Sequence, residues 1–270
     1  MNKHILITGS TDGIGKLVAE QLAKDGHHII LHGRNADKLI ATIKEIKEAS
    51  KNDMIDGYVS DFSDLVSVGK LVENLLSDFE KLDVIINNAG VFKSSNARTS
   101  NNFDIRFMVN YLAPYVLTKK LLPLLEKSNA ARVINLSSAA QAKVSLKALA
   151  GEGDLSTQDA YAQSKLALTM WSFYLADKYP KIQTIAVNPG SLLNTKMVQE
   201  AYGQYWSPAN KGADILYSLS TDDLFSDAGG KYFDNDRGIF GQTHPDAYNK
   251  DKIDELIKST DILLKDLIKE

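Results

Sequence analysis

His4-Ile5-Leu6-Ile7-Thr8-Gly9-Ser10-Thr11-Asp12-Gly13-Ile14-Gly15 is the stretch on which the fold turns. A short apolar run breaks at Thr8-Gly9, and helical spacing (Leu17, Leu22) begins just beyond it. That order reads as a buried strand, a tight turn and a helix start. The glycines fall as G-x-x-x-G-x-G, so the backbone can turn sharply and an anionic group can approach with no Cβ in its way. Amides at the helix start then face that group, with the positive end of the helix dipole behind them. Such a turn also occurs as a plain connection. Its place at the first strand–helix junction favours a site for a dinucleotide's pyrophosphate.

The same alternation recurs along the chain. Candidate strands are His28–His32, Ile55–Val59, Val84–Ile86, Arg132–Leu136, Thr184–Val187 and a short Lys231–Phe233. They read as continuous apolar runs, as strands do when helices cover both faces. Between them Leu39, Ile43 and Ile46, then Leu65, Val68, Leu71, Val72, Leu75 and Leu76, repeat at helical spacing. The pattern predicts an α/β fold: a single Rossmann-type, doubly wound parallel sheet of about seven strands with helices on both faces. No linker or break in composition divides the chain, so 1–270 reads as one domain. A last apolar stripe, Ile253, Leu256, Ile257, Leu263, Leu264, Leu267 and Ile268, predicts a C-terminal helix over 249–268 packed on the core.

Composition narrows the function. Thirty-four acidic and 31 basic side chains leave a net charge of −3, which argues against an electrostatic nucleic-acid binder. The absence of cysteine excludes a disulfide scaffold, a thiolate zinc site, an iron–sulfur cluster and a cysteine nucleophile. Five histidines lie scattered without ligand spacing, so no metal is expected. The first apolar run is far short of a bilayer span, and no signal-peptide core is visible, so a cytoplasmic location is expected.

Where the second strand ends, an NAD site places an acid to accept from the ribose 2′-hydroxyl. This chain has Gly33-Arg34-Asn35 there. A guanidinium pairs with a 2′-phosphate, so NADP(H) is favoured over NAD(H). Asp12 pulls the other way, because NADP sites often carry a basic residue near that point.

Further motifs follow in order: Asp61, Asn87-Asn88-Ala89-Gly90, Asn110, Leu136-Ser137-Ser138, Tyr161-Ala162-Gln163-Ser164-Lys165 and Asn188-Pro189-Gly190. Together with Thr8–Gly15 they resemble the short-chain dehydrogenase/reductase family, from residue 3 to about residue 195. The segment from Val109-Asn110-Tyr111-Leu112 through Leu125, with the long gap between Ser138 and Tyr161, is similar to its retinol-dehydrogenase-like branch. The resemblance implies a nicotinamide cofactor held by Gly9, Ser10, Thr11, Asp12, Gly13, Ile14, Gly15 and Arg34. It implies Asp61 and Phe62 at the adenine, and Asn88, Ala89 and Gly90 alongside. On the nicotinamide side it implies Pro189, Gly190, Leu192 and Thr195, the last one residue further from Pro-Gly than the family's spacing. Asp61 or Ser63 also fits a simple helix cap. Asn110 resembles the residue that holds a water between Lys165 and solvent; a polar residue settling a helix kink is the plain alternative.

Tyr-x-x-x-Lys occurs four times, at Tyr115/Lys119, Tyr161/Lys165, Tyr174/Lys178 and Tyr248/Lys252. With 11 tyrosines in the chain, spacing alone decides nothing. The Ser-Lys ending, and a place between Ser138 and Asn188-Pro189-Gly190, single out Tyr161. As proton donor or acceptor its phenol would have to fall roughly 3 units from about 10 to work near neutrality. Lys165, one helical turn on, is the cation that could lower it, and the resemblance gives it the nicotinamide ribose as well. Ser138 would position the substrate oxygen, with Ser137 next in line; adjacent strand residues face opposite ways, so one alone can serve.

The expected activity is hydride transfer between the nicotinamide and a small carbonyl or alcohol substrate. A non-catalytic NAD(P)-binding redox sensor is the alternative, although such proteins usually lose the tyrosine or lysine. For a nucleotide-sugar epimerase the chain is short. Segments 139–160 and 191–210 are expected to shape the pocket, the second as a cover. In them Leu146, Leu149, Leu155, Met197, Tyr202 and Trp206 fit either a lipophilic or aromatic substrate or core packing. Met170, Trp171 and Tyr174, on a helix over 159–179, are candidates for homodimer or homotetramer contacts.

Overall fold

Ile5, Leu6 and Ile7 of strand β1 (His4–Ile7) expose no surface at all, and the sheet is built outward from them. The computed structural model describes residues 2–267. The further strands are β2 (His28–Gly33), β3 (Ile55–Val59), β4 (Val84–Asn87), β5 (Arg132–Leu136), β6 (Gln183–Asn188), β7 (Lys231–Asp234) and β8 (Ile239–Gly241). They form one sheet in the order β3-β2-β1-β4-β5-β6-β7-β8, parallel throughout except for the antiparallel β7–β8 pair. The eighth strand escapes a sequence reading because it is three residues long and follows the turn Asn235-Asp236-Arg237-Gly238.

The helices are α1 (Gly13–Lys24), α2 (Ala36–Ser50), α3 (Leu65–Asp78), α4 (Ile105–Phe107), α5 (Ala113–Leu125), α6 (Leu146–Leu149), α7 (Thr157–Lys178), α8 (Lys196–Tyr202), α9 (Asn210–Thr221) and α10 (Lys250–Leu267). Strand side chains alternate between two cores. Ile5, Ile7, Ile29, Leu31 and Ile86 pack with Val18, Leu22, Leu39 and Leu216 of α1, α2 and α9. Leu6, Ile30, Ile85 and Val133 pack with Leu71, Leu117 and Leu168 of α3, α5 and α7. Leu76 is the exception to the expected stripe of α3, being 42% exposed. The cap of α3 is Asp64, whose carboxylate accepts from the Val66 amide at 2.9 Å. Neither Asp61 nor Ser63 caps it; Asp61 instead takes the Ser63 amide in the preceding turn.

Helix α10 runs across α7, burying Leu256, Ile257 and Leu264. Met170 and Trp171 are buried in the same core, with the Tyr115 ring 5.3 Å from Trp171. Met170 and Trp171, two of the three residues weighed for self-association, are therefore enclosed in the chain's own core. Ile268, the end of the expected stripe, lies outside the described residues. Among the described residues no helix is long and apolar enough to cross a membrane.

Two hydroxyls stitch α10 down. The buried Tyr111 hydroxyl meets Thr260 Oγ1 at 2.8 Å, and Tyr115 donates to Asp261 at 2.8 Å. Thr260→Val leaves the Tyr111 hydroxyl buried without its partner, at a cost of about 1–3 kcal/mol. Urea denaturation should show that loss with the denaturant slope unchanged.

Candidate active site

Strands β1 and β4 are neighbours, yet the chain leaves β1 towards β2 and leaves β4 towards β5. Such a reversal opens a crevice at the carboxyl ends of the strands. A Cβ on Gly9, whose φ is +64°, would lie 2.8 Å from the Ala89 Cα. Thr8 Oγ1 accepts from the Ala89 amide at 3.0 Å, and Asn88 Nδ2 donates to the Thr8 and Gly9 carbonyls at 2.8 and 2.9 Å. A Cβ on Gly15 would meet the Asn88 amide and lie 2.7 Å from the Gly9 carbonyl oxygen. Asn88 and Ala89 thus fix the loop's shape. Gly13, at φ +52°, faces the Thr195 methyl. The glycines thus let the turn pack closely on its neighbours over the first turn of α1, whose free amides fit a pyrophosphate.

Two expected cofactor residues spend their side chains elsewhere. Ser10 is fully buried, its hydroxyl accepting from the His32 amide at 2.9 Å; its side chain turns to β2, away from the crevice. Phe62 is buried too, its ring stacked on His32 at 4.3 Å. His32, which the sequence reading passed over, accepts from the Gly9 amide through Nδ1 at 3.0 Å and meets the Ser60 carbonyl through Nε2 at 3.0 Å. Burial lowers its pKa to about 4. The neutral ring can accept at one nitrogen and donate at the other, which this bracing of the loop requires.

Asp12 caps α1 by accepting from the Gly13 amide at 2.8 Å, and it takes Lys38 Nζ at 2.6 Å. Arg34 is exposed just before the α2 cap, Asn35. The first turn of α2 therefore supplies a second cation beside the loop, four residues after Arg34. Asp61 is exposed just beyond the end of β3.

At the end of β5 the two serines part. Ser137 is buried, with its hydroxyl on Thr169 Oγ1 at 2.6 Å and the Lys165 carbonyl at 3.3 Å. Ser138 is half-buried and faces the Tyr161 phenol; its carbonyl accepts from Gln141 at 3.0 Å and from the Tyr232 hydroxyl at 3.1 Å. Lys165, 5% exposed, donates to the Leu136 carbonyl at 2.7 Å, its Nζ 5.6 Å from the Tyr161 ring centroid.

The expected lowering of the phenol is not present in this arrangement. Burial pushes Tyr161 up to about 12, the Ser138 hydroxyl holding it back and the Tyr202 phenol adding to the rise. Burial also brings Lys165 down to about 8. Desolvation is the leading cause for both groups, with the ammonium over the ring and bonded to a carbonyl.

Asn110 lies in a π-helical turn, Met108–Leu112, just before α5. Its side chain accepts from the Val91 amide at 2.8 Å and donates to the Val91 carbonyl at 3.1 Å and Ser164 Oγ at 3.0 Å. Ser164 in turn donates to the Tyr161 carbonyl at 2.7 Å. Asn110 thus ties the segment after β4 to α7. A Cβ on Gly90 would lie 3.4 Å from Asn110 Oδ1 and 3.6 Å from both Lys165 Nζ and Met197 Cε. By contrast Tyr115 and Lys119 both bind Asp261 of α10. Their spacing matches, but they hold a helix in place.

Beyond β6 the Pro189 carbonyl accepts from Asn235 at 2.8 Å, and Asp236 takes Asn188 Nδ2 at 2.9 Å and the Ser191 amide at 2.8 Å. The β7–β8 turn so anchors the loop, a role not foreseen from sequence. Leu192 sits at φ +46°. Thr195 caps α8, accepting from the Val198 amide at 3.3 Å, and α8 has no buried side chain. Of the side chains weighed for the pocket, Leu149 lies in the core with Leu146 and Leu155 half-buried against it, whereas Tyr202 and Trp206 are 51% and 73% exposed.

Comparison with known proteins agrees with this geometry. The short chain dehydrogenase family model matches residues 3–206, and the chain belongs to that family of oxidoreductases. Human polyprenol dehydrogenase is 33% identical over 207 residues, 73% of this chain and 62% of its own length; the chain thus spans less than two thirds of that relative. Mouse retinol dehydrogenase 12 is 31% identical over 243 residues, covering 86% of this chain and 77% of its own. These relatives place the chain in the retinol-dehydrogenase-like branch. A short chain dehydrogenase from Shigella flexneri 2a, complexed with NADP, superposes with a TM-score of 0.70 at 28% identity over 87% of this chain and 98% of its own. One from Escherichia coli CFT073, complexed with NADPH, gives 0.72 at 27% identity over 87% and 97%.

The His32 brace makes a pH prediction. Unfolded, the ring titrates near 6.5; folded, about 4. Between those values only the unfolded chain binds the extra proton, so stability falls as acid is added from about pH 6.5 to about pH 4, by up to roughly 3 kcal/mol. His32→Gln should remove that part of the decline in denaturation curves taken across this range.

Proposed function

We propose that the protein is an NADP(H)-dependent oxidoreductase that interconverts a carbonyl compound and its alcohol, with Tyr161 as general acid and base. The observation that carries this reading is the convergence of Ser138, Tyr161 and Lys165 at the carboxyl end of β5, beside the tightly packed glycine turn between β1 and α1. The bound nicotinamide supplies or accepts the hydride.

The chain's own residues handle the proton and the positions. Ser138, its backbone pinned by Gln141 and Tyr232, offers its hydroxyl to the substrate oxygen. Tyr161, with a pKa of about 12, is a neutral phenol at pH 7, the form that donates a proton to a nascent alkoxide. The reverse reaction needs the phenolate, so positive charge at Lys165 matters most in that direction. Gly9, Gly13, Gly15 and the first amides of α1 take the pyrophosphate, and Lys165 the nicotinamide ribose. Arg34 and Lys38 take the 2′-phosphate, a preference supported by the exposure of Arg34 and the place of Lys38 against the loop at Asp12 and by the NADP and NADPH bound to the two structural relatives. A redox sensor has no need of the Ser138, Tyr161 and Lys165 grouping.

Tyr161→Phe should lower turnover of an aldehyde, ketone or alcohol panel by roughly 100-fold or more, while NADPH binding followed by fluorescence survives. Full activity in that variant overturns the assignment. Removing both cations, Arg34→Ala with Lys38→Ala, should reduce the NADPH-over-NADH ratio of kcat/KM by about 10- to 100-fold through two lost charge-assisted contacts. In the oxidation direction the gain in rate with rising pH should flatten above about pH 8, where Lys165 loses its proton.

A further inference from the structure

The residues after Gly90 link the reacting tyrosine to the cover. The buried Phe92 ring stands edge-on to Tyr161, centroids 5.0 Å apart at 66°, and meets Tyr202 at 5.6 Å and 40°. Its neighbour Lys93 donates to the Glu200 and Ala201 carbonyls at 2.9 and 3.4 Å, the last carbonyls before Tyr202. A lysine at that end of a helix satisfies free acceptors and opposes the negative end of the dipole.

Little else holds α8. It buries no side chain, and Gly203 ends it at φ +70°. The segment is closed at its base by Trp206 N–H on the Leu192 carbonyl at 2.9 Å and Asn194 N–H on the Ser207 carbonyl at 2.8 Å. Tyr202 is therefore carried on a thin flap, steadied by the Phe92 ring and the Lys93 ammonium, with Met197 of the same helix near Gly90. Half of the Tyr202 surface is free, and its phenol lies close enough to Tyr161 to act on that group's titration.

We propose that Tyr202 is a specificity-determining residue, positioned by Lys93 and Phe92, that selects carbonyl substrates bearing a flat aromatic group next to the reacting carbon. The Phe92–Tyr202 wall offers π-faces and edges, which a planar ring meets in offset or edge-on contact and a puckered ring of equal size does not. The inference rests on the oxidoreductase reading above and deepens it. The preference belongs to the ring of Tyr202 rather than to its hydroxyl.

Benzaldehyde and cyclohexanecarboxaldehyde, a flat and a puckered ring of similar size, test this with the reduced cofactor. The ratio of their kcat/KM values cancels their intrinsic reactivities when variants are compared. Tyr202→Ala should cut the ratio about three- to tenfold, as the loss of one aromatic contact implies, with KM for the cofactor unchanged. Tyr202→Phe should keep the ratio. Lys93→Met, which leaves the ring in place but frees the flap, should lower it in the same direction as Tyr202→Ala. An unchanged ratio in Tyr202→Ala overturns the proposal while the oxidoreductase reading stands. A ratio lost in Tyr202→Phe moves the role to the hydroxyl and overturns it as well, and a ratio kept in Lys93→Met removes the positioning role of Lys93. Failure of the unaltered protein to turn over any carbonyl with either cofactor sinks the reading and this inference together.

Discussion

Gly9 passes Ala89 at a distance that no side chain could share, and the crevice follows from that close approach. Because β1 and β4 lie side by side, their outgoing loops must either interlock or part. They interlock through side chains bonded to backbone groups: Thr8 and Asn88 cross-link the two loops, and His32 reaches in from β2 to hold the Gly9 amide. The glycine turn is thus clamped from two neighbouring strands. A loop clamped in this way is preorganised, so little ordering is left for a ligand to impose.

Burial governs three titrating groups in and around the crevice. His32, Tyr161 and Lys165 are all displaced towards their uncharged forms, with burial the leading cause each time. For His32 the neutral ring is itself the structural requirement. For Tyr161 and Lys165 the same desolvation makes the groups responsive, because a charge arriving in a poorly screened site shifts them more than it would in water. The sequence could show that a cation lies one turn from a phenol. It could not show that both would be dehydrated, since the walls come from α8, the segment after β4 and the loop after β5.

The parts legible in the sequence were those encoded locally. Continuous apolar runs marked seven strands, and the glycine spacing with the Asn-Asn-Ala-Gly and Tyr-x-x-x-Lys motifs marked the crevice and the end of β5. Contacts made across long separations were not legible. Ser10 looked like a loop residue but bonds to β2, 22 positions on. Lys38 sat unremarked in an amphipathic helix until the fold brought it to Asp12. Tyr115 and Lys119 shared the spacing of the pair at Tyr161 and Lys165, and only the placement of α10 shows what they bind. Asp236 belonged to a turn with no motif, yet it anchors Asn188 and Ser191.

The π-helical turn around Asn110 has a consequence for how this chain tolerates changes in length. A π turn accommodates one residue more than an α turn over the same rise, and each residue of an α-helix advances the azimuth by about 100°. Deleting a single residue between 108 and 112 would let α4 and α5 merge into one regular helix, a local gain in backbone regularity. The flanking segments would keep their phase, because the bulge itself takes up the extra residue, but the Asn110 amide carried on it would swing off Val91 and Ser164. Such a chain could keep its sheet and its helices while losing the tie between the β4 segment and the helix that bears Tyr161. At this point along the chain an indel is the more damaging lesion, and a conservative side-chain exchange the milder one.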